Sequence, residues 1–174
     1  YRELYEEHAP LMRFLSSHGI AQPRGFRLAA ELALATRLRR ALEQDAPDPA
    51  RLSSVLEEAR DVGIGLHEDG LALALQVALA RLADGLRANP AEVERLEELE
   101  AVVDLARQLP FEVDFWKPQN AYYGLWKTFL PGRAREADAG FEDARRWLER
   151  FRSLGKKLSM NVTESAVEVP RAEP

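Results

Sequence analysis

Apolar residues recur at three- and four-residue spacing in segment after segment of this chain, a period that admits helices and little else. From Phe26 to Gln44 the residues Leu28, Leu32, Ala35, Leu38 and Leu42 form one stripe, with Arg27, Glu31 and Arg37 placed nearer water. Asp48-Pro49 then opens a second helix, Asp as N-cap and Pro at the first helical position. Its stripe is Leu52, Val55, Leu56, Ala59 and Val62, and Gly63 and Gly65 end it.

The run from Leu71 to Ala80 alternates Leu and Ala, yet both favour helices and the run continues through Leu82 and Leu86. A helix apolar on nearly every side is expected to be central and buried. Asn89-Pro90-Ala91-Glu92 reads as a capping box that starts the next helix at once, and the stripe Leu96, Leu99, Val103 and Ala106 ends at Pro110. The two form an expected antiparallel hairpin. Phe111 to Trp116 is strand-like, Pro118 opens an aromatic helix to Leu130, and Pro131-Gly132 breaks the chain. One last helix is expected over 134–158, burying Phe141, Ala144, Leu148, Phe151 and Leu158. At the other end, Pro10 predicts a kink or two short helices within Tyr1 to His18, with Gly19 and the Gln22–Gly25 turn behind them. The expected fold is all-α, a bundle of about six to seven mostly antiparallel helices. Residues 1–158 read as a single helical domain and 159–174 as a flexible tail. The start at Tyr1, already in a helical pattern, leads one to expect a fragment of a longer polypeptide.

Leu, Ala, Glu and Arg dominate; the 46% hydrophobic and 30% charged content belongs to a globular chain. A net charge of −5 gives no general pull toward nucleic acid or an anionic membrane. The longest apolar run is about half a bilayer span. Arg37, Arg39 and Arg40 sit beside Glu31 and Glu43, as on a solvated helix face. The absence of cysteine removes disulfide, thiol and Cys-zinc chemistry and fits a cytoplasmic setting.

No catalytic, metal or cofactor set emerges from the residues. His8, His18 and His67 are far apart, and none follows a Glu three positions earlier as in di-iron bundles. They read as surface or capping histidines. Pairs such as Glu57 with Asp61 and Glu100 with Asp104 lie one helical turn apart. Glycoside hydrolysis needs carboxyls facing across a cleft, so an acidic surface is the simpler reading. Gly63-Ile64-Gly65 lacks the third glycine and preceding strand of a dinucleotide loop. Asn161-Val162-Thr163 matches a glycosylation acceptor with no secretory signal ahead of it.

The stretch from Phe115 to Trp126 is the most informative. On a helix, Phe115, Tyr122, Trp126 and Phe129 fall on one side as a core anchor. Trp116, Gln119, Asn120, Tyr123 and Lys127 fall on another, at offsets of three, four, seven and eleven. Amides and an indole beside flat rings suit a polyhydroxylated ligand such as a sugar. The alternative is that the same rings dock in a core or interface with their polar tips satisfied at its edge.

This segment resembles part of the C-terminal helical region, termed domain of unknown function 3536, of bacterial glycoside hydrolase family 57-like α-amylase/α-mannosidase proteins. The residues carrying the resemblance include Pro23, Leu28-Ala29-Ala30-Glu31 and the stretch from Ala59 to Ile64. Leu109-Pro110-Phe111, the run from Phe115 to Tyr123, and Phe151 to Leu158 complete it. It spans most of residues 1–160; members usually carry Ala where this chain has Pro118. The resemblance implies an N-terminal catalytic domain in the same polypeptide, a barrel supplying both carboxylates for retaining α-glucan chemistry. It implies for this chain an accessory role, supporting that barrel and lending Trp116, Gln119, Asn120 and Tyr123 to the substrate cleft. The other reading is a helical scaffold or protein-interaction module without carbohydrate contact.

Overall fold

The computed structural model describes residues 1–66 and 71–160. His67, the Asn161–Thr163 match and most of the expected flexible tail lie outside these residues. Among the described residues there are eight α-helices and no strand. They are α1 (Arg2–Ser17), α2 (Arg24–Leu42), α3 (Pro49–Asp61), α4 (Leu71–Ala88), α5 (Val93–Gln108), α6 (Trp116–Thr128), α7 (Leu130–Asp138) and α8 (Glu142–Lys157). The fold is the all-α bundle that the apolar spacing predicts, with one helix more than expected. Two units of dense contact divide the chain. The first comprises Tyr1–Ala80 with Ala101–Asp114, the second Arg81–Glu100 with Phe115 onward.

In the first unit α1, α2 and α3 pack against one another. α1 buries Tyr5, Ala9 and Met12 and runs unbroken through Pro10, where two short helices or a kink were expected. Pro10 is exposed, so the carbonyl deprived of its donor can be hydrated. α3 forms as its signals dictate: Asp48 Oδ1 accepts the Ala50 N–H at 2.9 Å, and Leu52, Val55, Leu56, Ala59 and Val62 are all buried. Gly63 ends it at φ 67°, a left-handed conformation that lets the Ile64 N–H reach Ala59 O at 2.9 Å.

α2 faces differently from expectation. Leu28 and Leu32 are exposed, and the buried set is Ala29, Ala30, Ala33, Leu34, Leu38, Ala41 and Leu42. The three alanines at its start take the inward face. Arg37 also departs from a purely solvated role, donating to Glu58 at 2.9 Å and to Glu6 at 3.2 Å. Glu58 accepts the Tyr5 hydroxyl at 2.6 Å as well, so one carboxylate ties α1, α2 and α3 together. Burial and this bond push the Tyr5 phenol well above the usual tyrosine range.

α4 is not apolar-buried all round: Leu73 is 67% and Val77 60% exposed, while Leu71, Leu75, Ala78 and Leu79 are covered. Asn89–Glu92 is a turn, with the Glu92 N–H on Asn89 O at 3.3 Å, and α5 starts only at Val93. The α5 stripe Leu96, Leu99, Val103 and Ala106 is buried as expected. Residues 109–115 are irregular, and the brief strand expected there does not form.

In the second unit the single long helix expected over 134–158 is two. α7 starts earlier, with Pro131 in its first turn, and Gly140 at φ 97° separates it from α8. Phe141, expected in the core, is the exposed N-cap of α8. Ala144, Leu148, Phe151 and Leu158 are buried as expected, and the core adds Trp147 and Leu154, with Leu86, Leu96, Leu99 and Tyr122. Trp147 is fully buried and its indole donates to Pro90 O at 2.7 Å. Glu100 is not surface acid either. It is buried beneath α8, accepting from Ser153 Oγ at 2.6 Å with Lys157 Nζ 2.7 Å away.

Candidate functional site

α6 begins at Trp116, two residues before the expected start at Pro118. Pro118 occupies the first turn, where the missing N–H leaves no helical bond unmade, and the Gln119 N–H closes that turn on Phe115 O at 2.9 Å. Its inward face is Pro118, Ala121, Tyr122 and Leu125. Tyr122 stacks on Phe151 with ring centroids 4.1 Å apart, and Phe151 stacks on Trp147 at 4.7 Å. Gly155 of α8 admits this approach, since a Cβ there would fall 2.6 Å from Tyr122 Cζ. Burial raises the Tyr122 phenol to about 12. The helix is thus fixed from beneath by a three-ring stack, which holds its outer face in one orientation.

That outer face carries three of the four residues singled out from sequence. Trp116 is 65% exposed and Tyr123 45%, and Asn120 is exposed between them. Seven residues of helix separate the two rings by about 10 Å along the axis. Lys127 follows on the same stripe, its ammonium 4.4 Å from the Tyr123 ring centroid. Trp126 stacks beside Tyr123 at 5.8 Å rather than anchoring the core, and is only half-buried. The fourth residue is turned aside. Gln119 donates from Nε2 to Leu158 O at 3.0 Å, capping the C-terminus of α8.

The site is therefore an open strip, Trp116–Asn120–Tyr123–Lys127, on a rigid helix. It offers one broad aromatic face at Trp116, an amide with both donor and acceptor, and a phenol with a cation alongside. No acid–base pair faces it from the strip itself. Sequence reasoning missed what supports the strip. Trp147 lies three residues past Ala144 and four before Phe151, so the spacing that found its neighbours also marks it.

Other candidates resolve into structure. His18 is the C-cap of α1, its Nδ1 2.8 Å from Phe14 O, and His8 Nδ1 lies 3.0 Å from Leu4 O while its ring packs on Phe26. Among the described residues no group of three or more His, Asp or Glu is placed to hold a metal ion. No helix among them is long and apolar enough to cross a membrane. An open cleft of about 600 Å³ at the start of α1 is lined by Arg2, Leu32, Thr36 and Arg37, but the Arg37 guanidinium is already engaged by Glu58 and Glu6. No family model matches the chain, nor does any curated protein or solved structure.

Proposed function

We propose that this chain is the accessory helical domain of a family 57-like α-glucan-acting protein, and that α6 contributes to the groove along which the glucan lies. The catalytic carboxylates belong to an N-terminal barrel of the same polypeptide. The observation carrying this reading is the exposure of Trp116, Asn120 and Tyr123 on one rigid face. Isolated rings on a helix would ordinarily be turned inward, because burying a large side chain stabilises a fold by about 1.5–3 kcal/mol. Here Tyr122 takes that role and its neighbour Tyr123 is left outside. Gln119 is a positioning residue in this scheme, tying the strip to the end of α8.

Titration of the chain with maltooligosaccharides, followed by tryptophan fluorescence, tests the reading. A saturable change that Trp116→Ala abolishes supports it. No change at millimolar sugar, together with a full-length protein inactive on α-glucans, would leave the other reading, a helical scaffold that binds another protein. A specific observation favours that second reading: Leu73 and Val77, four residues apart on α4, present apolar surface to water.

A further inference from the structure

The strip on α6 has an electrostatic character that a neutral sugar would not use. From Phe115 to Thr128 the chain has no Asp or Glu and holds Lys117 and Lys127, within a molecule of net charge −5. Several basic side chains elsewhere are ion-paired. Arg37, Arg95, Arg146, Arg150 and Lys157 each lie within ion-pair distance of a glutamate. Lys117 and Lys127 are exposed and have no carboxylate partner among the described residues. Lys127 is held over the Tyr123 ring, a contact that orients the ammonium without cancelling its charge.

We infer that this face takes a glucan chain bearing oxyanions, as phosphate esters or carboxylates, rather than an unmodified one. The inference rests on the α-glucan reading above and narrows its ligand. Trp116 supplies a stacking surface for a pyranose ring, and Asn120 supplies hydrogen bonds to hydroxyls. Lys127, about 16 Å further along the axis than Trp116, meets an anionic substituent several sugars away. Lys117 stands at the flank of the Trp116 end. An acidic peptide would match the charge but would leave the amide and the flat indole without a purpose.

The test compares neutral maltodextrin, phosphorylated maltodextrin and C6-oxidised maltodextrin of matched length, with inorganic phosphate and polyglutamate as further probes. Exposed ion pairs of this kind give about three- to tenfold tighter binding of a charged glucan than of the neutral one. Lys117→Gln with Lys127→Gln should abolish that advantage, as should about 0.5 M salt, while Trp116→Ala weakens all three glucans. The charged glucan that binds tighter identifies the oxyanion. Equal binding of neutral and charged chains overturns this inference and leaves the α-glucan reading standing. Binding of no glucan overturns both. Polyglutamate or phosphate bound as tightly as the charged glucans reveals general anion attraction and overturns the inference.

Discussion

At Gly155 and Tyr122 a single hydrogen decides the packing of two helices. Glycine inside a helix ordinarily costs about 1 kcal/mol relative to alanine, so Gly→Ala at an open position stabilises. At Gly155 the sign reverses, because the new methyl would overlap the Tyr122 phenol. Gly155→Ala should destabilise by about 1–3 kcal/mol in urea unfolding. Tyr122→Phe should recover part of that loss in the double variant, since the hydroxyl is the atom met first. The same phenol gives a pH signature. Its value near 12 in the fold exceeds the ordinary 10, so the folded state holds the proton more tightly. The stability this contributes is fully present below pH 10 and is lost as pH rises toward 12. Tyr5 is shifted the same way and adds to the slope. Alkaline unfolding followed by circular dichroism should begin near pH 10 in the parent chain and be shallower in Tyr122→Phe. An unchanged slope would remove Tyr122 as a cause.

At the scale of elements, α6 separates support from surface. Gln119→Ala removes the bond to Leu158 O and should cost about 1 kcal/mol of stability. Trp116→Ala should shift stability by no more than about 0.5 kcal/mol, because exposed substitutions rarely do more. A Trp116→Ala loss of 2 kcal/mol or more, about what burial of such a ring stabilises, would mean the ring is structural. In α2 the contrast is between leucines: Leu34→Ala should cost about 2–5 kcal/mol and Leu32→Glu little, and thermal unfolding distinguishes them.

These elements also show where sequence reading succeeds. α3 is legible because its cap, its first-turn proline and its glycine stop are chosen by local chemistry. The outer face of α6 is legible because Trp116, Asn120, Tyr123 and Lys127 keep a helical period. The face of α2 is not, since five leucines and five alanines offer two apolar stripes and only close packing selects the alanine side. Pro131 misleads because proline both follows one helix and begins another. Nor does any pattern near Gln119 announce a partner at Leu158, or one near Glu100 announce Ser153 and Lys157. Those contacts are made by residues remote in sequence.

For the whole molecule, the arrangement of tryptophans supplies a natural probe of how folding is shared. Trp116, Trp126 and Trp147 all belong to the second unit, whereas helical circular dichroism reports on every helix. α4 and α5 each contribute one stretch to the first unit and another to the second. Breaking either helix at the boundary would leave backbone donors and acceptors without partners at new ends, at a cost comparable to lost helix caps, about 0.5–2 kcal/mol each. Two shared helices therefore couple the units through their own backbones. Unfolding by urea should give coincident midpoints from tryptophan fluorescence and from circular dichroism, as for one cooperative transition. Leu38→Ala, confined to the first unit, should lower both midpoints together even though every tryptophan lies in the other. A fluorescence midpoint that stays in place while the helical signal moves would show that α4 and α5 fray independently at the boundary. In that case the aromatic strip would be carried by a unit that folds without the first.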